Sequence, residues 1–349
     1  MLETMTDAPP QIARLEPGAV SPALVTALHT GAVLSRADAA VVTLVGPGAV
    51  TCMQGLLTND LDQAGDGGFV YGALLTPKGM IVVDGWAARL GTTVAYTVPA
   101  AARDRALAVF TRSVPPRLAR LHDRSSEVAV YRLAGPRASG AAIAAGLEVP
   151  PAPGRVVDRT GEIETARATE VAPFALQVSV VTSQADRLVR RLTVAGAVEA
   201  DPAVLELARI LAGWPRLGAE VDEKTIPQEV RYDEIGGVSY TKGCYTGQET
   251  VARLHFRGHV NRVLRGLRFD PEPPAAPAQG WSAVTHQDRE VGRVTSLAFV
   301  PDSGVSGAGR WIGLALIRRE VAPGVMVRAA GRDARLVDLP FASPVAGPA

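Results

Sequence analysis

Short apolar runs rich in valine, leucine and alanine, separated by glycine and proline turns, set the pattern of the chain. Residues 40–45 form a β-branched run that predicts a strand, closed by the turn Gly46-Pro47-Gly48. Pro22–Thr30 reads as a weak helix and residues 49–57 as a second. Strand-like runs follow over Phe69–Leu75, residues 80–90 and residues 92–98. A helix is then predicted from about residue 100 to 112, where Pro115-Pro116 stops it. A second set opens with a strand over 127–131 and includes 177–181. It continues in a helix over 184–194, with Leu188, Val189 and Leu192 at helical spacing. Asp201-Pro202 predicts the next helix start, by an N-cap and a first-turn proline, with the helix running to Gly213.

Residues 270–280 crowd together prolines and a glycine and read as a linker. Beyond them lie alternating runs over 282–285, 290–300, 310–317, 325–329 and 335–339. Evenly spaced short strands of this kind predict a small barrel or sandwich. Strand–helix–strand–strand sets followed by an all-β end give an α+β protein. Strict βα alternation is absent, as are the G-x-G-x-x-G and P-loop motifs, which argues against a nucleotide-binding α/β domain.

Composition narrows the function. Apolar residues make up 47% of 349, enough for packed cores, and Lys+Arg at 36 nearly balance Asp+Glu at 35. Bulk attraction to nucleic acid or to an anionic membrane normally needs a far more basic chain, and aromatics at 5% leave few stacking platforms. The basic run Arg103 to Arg124, interspersed with Asp104 and Asp123, reads as a solvated face. No apolar run has membrane-spanning length. The first ten residues carry Glu3 and Asp7 without an apolar block, so a secretory leader is not expected and a cytoplasmic protein is. Residues 1–20 read as a flexible leader.

The densest chemistry lies in Lys242-Gly243-Cys244-Tyr245-Thr246-Gly247-Gln248-Glu249. Only three lysines occur against 33 arginines, and only two asparagines, so Lys78, Lys242 and Asn59 attract notice. Thr246 and Glu249 match a capping box, which predicts a helix from about Gly247. Cys244 would then precede a helix N-terminus, two residues from an ammonium, and both favour the reactive thiolate form. Cys52, among apolar neighbours, reads as structural. Two distant cysteines predict reduced thiols and cannot by themselves ligate a cluster that takes about four thiolates. His255 and His259 stand four residues apart, but Arg257-Gly258 interrupts the helix between them, and no metal site is predicted. Tyr232, Tyr240 and Tyr245 cluster near Cys244.

This octapeptide resembles the signature of the YgfZ-type folate-binding proteins. They form the iron–sulfur maintenance branch of the glycine-cleavage T-protein (aminomethyltransferase) superfamily. Val45 to Gly48, Gln54 to Asp60, Leu75 to Met80 with Asp84, Arg209 to Gly213, Pro227 to Glu229, and Gly292 with Leu314 to Ile317 extend the likeness in order. The resemblance implies a ring of α+β lobes and a β-barrel around a channel that admits tetrahydrofolate. It divides the chain into a body over 21–260 and a barrel over 261–345. The body's lobes are then 21–125 plus 196–260, and 126–195. It implies a folate-dependent accessory protein for the assembly, maintenance or repair of [4Fe–4S] enzymes, without classical turnover. Its partners would be those client enzymes or cluster-assembly proteins. The alternative is a tetrahydrofolate-dependent aminomethyltransferase or demethylase. Cys244, Lys242 and Asp84 carry the chemistry in this reading, and Asn59, Lys78, Tyr245, Gln248, Glu249 and Arg253 hold the folate. Two positions depart from the superfamily pattern. Of its acidic pair only Asp84 is retained, and Leu211 replaces the pterin-contacting glutamate, leaving Glu206, Gln248 or Glu249 as other acceptors.

Overall fold

The computed structural model describes residues 12–158, 161–269, 274–275, 282–302 and 308–341. It opens with β1 (Ala13–Leu15), α1 (Pro22–Thr30) and β2 (Val33–Arg36). A first unit follows with β3 (Ala39–Val45), α2 (Ala49–Gln54), α3 (Leu61–Ala64), β4 (Phe69–Leu75), β5 (Ile81–Leu90), β6 (Thr93–Pro99), α4 (Arg103–Ser113) and β7 (Arg120–Asp123). The second unit holds β8 (Val128–Ala134), α5 (Ala138–Ala144), β9 (Arg155–Asp158), β10 (Ile163–Arg167), β11 (Leu176–Val181), α6 (Ala185–Val194) and β12 (Val198–Glu199). Then come α7 (Ala203–Ala212) and α8 (Gln248–Arg257). The last strands are β13 (Arg262–Phe269), β14 (Ser282–His286), β15 (Arg289–Pro301), β16 (Gly309–Arg318), β17 (Met326–Ala329) and β18 (Arg332–Val337).

The first sheet runs β4-β5-β6-β3-β7 and the second β12-β2-β8-β11-β10-β9. Each puts one face on helices of its own unit: Met53 and Phe110 pack beneath the first sheet, and Ala142, Leu188 and Leu192 beneath the second. Their other faces share one core, with Phe69, Tyr71 and Trp86 from one sheet and Val128, Val130 and Ala134 from the other. Leu207 and Leu211 of α7 and Leu314 and Leu316 of β16 join the same core, so both lobes and the barrel meet around it. Strands β13 to β18 close a six-stranded antiparallel barrel through the β15–β16 pairing. This is the α+β body with a C-terminal β-barrel that the hydrophobic pattern predicts.

The differences have local causes. Within the expected leader, β1 pairs in parallel with β15 over Ser296–Ala298, and Val20 is buried, so the barrel reaches back to residue 13. The helix over 49–57 stops at Gln54, because Leu57 bridges to Leu74 and Thr58 N–H bonds the Ala73 carbonyl instead of continuing the helical ladder. The cap of α7 is Pro202 rather than Asp201, without a side-chain cap bond, and Asp201 only accepts from the Val204 N–H through its carbonyl. The lobes interleave: β2 and β12, both outside 126–195, belong to the second sheet. The linker over 270–280 lies outside the described residues except for 274–275.

One buried ion network ties α7 to the barrel. Arg209 donates to Glu220 at 2.9 Å, to Glu206 at 2.8 Å and to the Ser296 hydroxyl at 2.7 Å, and Ser296 in turn donates to Glu220. Burial works against charge on Arg209, but Glu220 and Glu206 together hold it protonated above the ordinary arginine range. Glu206 is thereby engaged by Arg209 and Arg216.

Candidate functional site

The octapeptide folds as a loop strapped to the segment that follows α2. Lys242 is buried, and its Nζ donates to the carbonyls of Gln54 at 2.7 Å, Leu57 at 2.6 Å and Asn59 at 2.8 Å. An ammonium has three donors, so all are engaged. Thr246 N–H bonds the Gly55 carbonyl, Ser239 N–H bonds that of Thr58, and the Thr58 hydroxyl donates to the Gly237 carbonyl at 2.6 Å. The Tyr245 ring lies 5.1 Å from the Lys242 ammonium and is itself buried, which pushes its phenol up to about 12. Burial draws Lys242 down to about 8.

Out of this anchored loop Cys244 emerges exposed, beside Gly243, whose Cβ position meets nothing within 4 Å. The devices expected to ionise the thiol are arranged otherwise. Helix α8 begins at Gln248 with Gly247 as its cap and no side-chain cap bond, so Thr246 and Glu249 do not form a capping box. Cys244 therefore lies three residues ahead of that cap, outside the first turn where a helix dipole acts. Lys242 serves the loop backbone rather than the sulfur, which corrects its expected catalytic role to a positioning one.

Gly247 explains the shift of the helix start. It sits at φ +83°, and a Cβ there would stand 2.5 Å from the Thr76 carbonyl oxygen; one on Gly79, at φ +87°, would meet Thr250 at 2.9 Å. The β4–β5 turn and the start of α8 interlock at these two glycines. Lys78 stands exposed on that turn, and Glu249 and Arg253 are exposed on α8. The Gln248 side chain accepts from the Tyr245 N–H. Asn59 donates through Nδ2 to the carbonyls of Tyr71 and Gly236, both at 2.7 Å, so it too fixes backbone.

Asp84 is in the shared core, on the inner face of β5. Its Oδ2 accepts from the hydroxyls of Tyr71 at 2.6 Å and Tyr232 at 3.1 Å. Burial raises its pKa although both phenols counter the rise. Burial and the Asp84 charge likewise push both phenols well above the ordinary tyrosine range. Tyr71 packs against Trp86 and Trp214, with ring centroids 5.3 and 4.7 Å apart, and Phe174 meets Trp86 edge-on at 5.1 Å. The sequence reading missed Tyr71, Trp86, Phe174, Trp214 and a partly accessible Arg132 over the Phe174 ring. One signal was available: Arg132 is the single charge in the strand Val-Ala-Val-Tyr-Arg-Leu-Ala. The chain thus separates an interior carboxylate from an exposed thiol.

The GCVT N-terminal domain family matches residues 31–146. An aminomethyltransferase of Rubrobacter xylanophilus is 31% identical over 313 residues, which span 86% of this chain and 80% of the relative. A tRNA-modifying protein YgfZ of Yersinia pestis is 30% identical over 241 residues, covering 67% of this chain and 70% of that protein. The chain is a YgfZ-type member of the glycine-cleavage T-protein superfamily. The fold agrees: the aminomethyltransferase T structure from Bartonella henselae superposes with a TM-score of 0.76 over 95% of this chain and 91% of its own, at 16% identity.

Within this YgfZ-type chain Leu211 is buried in the shared core, and its carbonyl accepts from Phe341 N–H. His255 stacks on Tyr240, with centroids 3.6 Å apart, and His259 lies beyond the end of α8. Among the described residues no group of three or more His, Cys, Asp or Glu is placed to hold a metal ion. No helix of the described residues is long and apolar enough to cross a membrane. A cleft of about 1040 Å³ opens at the barrel rim, lined by Glu229, Arg262, Glu290, Arg293, Arg318 and Glu320, apart from both Asp84 and Cys244.

Proposed function

We propose that this protein is a folate-binding accessory factor for the assembly, maintenance or repair of [4Fe–4S] enzymes, acting through Cys244. The observation that carries the reading is the anchored loop: a buried ammonium fixes three carbonyls, and the adjacent thiol is left in the open. A rigid, exposed sulfur can approach a metal centre held by another protein. Once its S–H proton has passed to solvent, the Cys244 thiolate would donate a lone pair to an exposed iron of the client's cluster, and the ligand it displaces would leave that iron for solvent. Such a thiol needs a reducing compartment, in keeping with a cytoplasmic role.

Tetrahydrofolate, when bound, would supply a carrier for a one-carbon unit. The inner face offers residues that suit a planar heterocycle: the Trp86, Trp214 and Phe174 rings as walls, and Asp84 as an acceptor for ring N–H groups. With Leu211 buried and Glu206 paired, Asp84 takes over the acceptor role. Glu249, Arg253 and Lys78 remain exposed and suit an anionic tail or a client surface.

Complementation of a deletion strain, assayed for [4Fe–4S] enzyme activity under oxidative stress, tests the reading. Wild type is expected to restore activity, and Cys244→Ala to fail while accumulating normally. Equal rescue by both would end the thiol role. The rival is a tetrahydrofolate-dependent aminomethyltransferase, favoured by the match to the Rubrobacter enzyme across most of its length. Turnover of an aminomethyl donor with tetrahydrofolate, lost in Asp84→Ala and kept in Cys244→Ala, would establish it instead.

A further inference from the structure

Arg132 lies on the inner face of the second sheet, in one cross-strand row with Ser35 on β2 and Gln177 on β11. Opposite it the first sheet presents the row Tyr71, Trp86, Thr97 and Val41. Gln177 Nε2 donates to Thr97 Oγ1 at 3.1 Å and joins the two rows. The Arg132 guanidinium sits 4.4 Å above the Phe174 ring centroid. Its hydrogen bonds among the described residues are two long ones, at 3.4 and 3.3 Å, both to Gln177 Oε1. No described carboxylate pairs with it, and its Nη1 group has no described partner.

A guanidinium carries five donors, and desolvating it without an anion is costly. Burial draws this one down to about 10, so it remains charged at neutral pH. Its neighbour in the row supplies a second, independent observation. The Ser35 hydroxyl is buried, at 1% exposure, with no hydrogen-bond partner. Interior polar groups that serve packing alone are paired, and an orphan hydroxyl beside a guanidinium without a described carboxylate points to recognition. Arg132 also stays partly accessible while Ser35, Gln177, Thr97, Trp86 and Phe174 around it are buried.

We propose that Arg132, Ser35 and Gln177 form a binding site for a small organic carboxylate between the two lobes, walled by the rings of Phe174 and Trp86. The guanidinium edge takes the carboxylate oxygens, the Ser35 hydroxyl donates to one of them, and Gln177 holds Arg132 in place. The aromatic wall favours a carboxylate on a flat or apolar body over a fully hydrated anion. The site shares the Phe174 and Trp86 rings with the proposed heterocycle face but depends on Arg132 and Ser35, which that reading does not use, so loss of benzoate binding in their variants is separable from failure of the accessory-factor reading.

Titration of the full chain with benzoate, acetate and inorganic phosphate at constant ionic strength tests it, read by tryptophan fluorescence and thermal melting. The expected result is a saturable response to benzoate, a weaker one to acetate and the weakest to phosphate. Affinity for benzoate is expected to fall about tenfold or more in Arg132→Gln, as loss of a charge-assisted pair requires. Ser35→Ala, which removes only the orphan hydroxyl, is the second variant. It is expected to melt like wild type without ligand and to bind benzoate more weakly. No saturable response in wild type, a preference for phosphate, or unchanged benzoate affinity in Ser35→Ala and in a folded Arg132→Gln would overturn the proposal.

Discussion

Lys242 shows how one buried side chain can fix the backbone of a loop that carries an exposed thiol. Its ammonium satisfies three carbonyls that no helix or sheet ladder reaches. Lys242→Met keeps the stem but strands those acceptors, and a stranded buried group costs about 1–3 kcal/mol. A loss of about that size is expected in equilibrium denaturation, whereas Cys244→Ala, at an exposed position, is expected to stay within about 0.5 kcal/mol of wild type. Asp84 makes a pH statement. Burial raises its pKa, so the native state keeps a proton that the unfolded chain releases near pH 4. Native protein then binds more protons across that window. This contribution to stability is complete below the unfolded pKa and is lost as pH rises through the raised one. Asp84→Asn cannot titrate. Wild type measured against Asp84→Asn is expected to lose stability as pH rises from about 4 through the raised value, and a relative gain would contradict a carboxyl whose pKa burial raises.

Among the elements, the joint between the β4–β5 turn and α8 sets where the loop can go. Gly247 has a left-handed backbone and no room for a Cβ against Thr76. Gly247→Ala is expected to cost at least about 1–2 kcal/mol from the backbone alone, and more where Thr76 must move. Thermal melting checks the cost. Modification of Cys244 by a thiol reagent reports whether the loop has shifted, with a changed rate expected in the variant. An unchanged melt and rate would mean that the interlock is loose. The capping box at Thr246 and Glu249 was a sound local reading that this joint overrode, because the left-handed Gly247 cap is imposed by the turn docking beneath it.

On the scale of the whole molecule, the Arg209 network is one buried bond between body and barrel. Glu220 is fully buried and shares Arg209 with Glu206, while Ser296 belongs to β15. Removing one partner from a buried ion pair leaves an uncompensated charge and costs about 3–5 kcal/mol. Arg209→Ala is expected to destabilise by that order and to open the barrel junction to limited proteolysis before the lobes unfold. Simultaneous loss of lobes and barrel would mean that the shared core couples them without Arg209. That core also explains the wide separation of the interior site residues in the chain: Tyr71 and Tyr232, whose hydroxyls stand 3.1 Å apart, are 161 positions distant.

Period and turn chemistry alone determined most elements of this protein. Apolar runs became strands β3, β4, β8 and β11, and leucines at helical spacing became the buried side of α6, because local propensity and burial agree there. The octapeptide announced the family, and an exposed cysteine was legible in it. The tertiary structure decided where every polar group found its partner. Lys242 met carbonyls 183 to 188 positions away, Asp84 met two distant tyrosines, and β1 left the leader to pair with the barrel. Long-range hydrogen bonds and desolvation depend on which surfaces come together in three dimensions, and no periodicity along the chain records that.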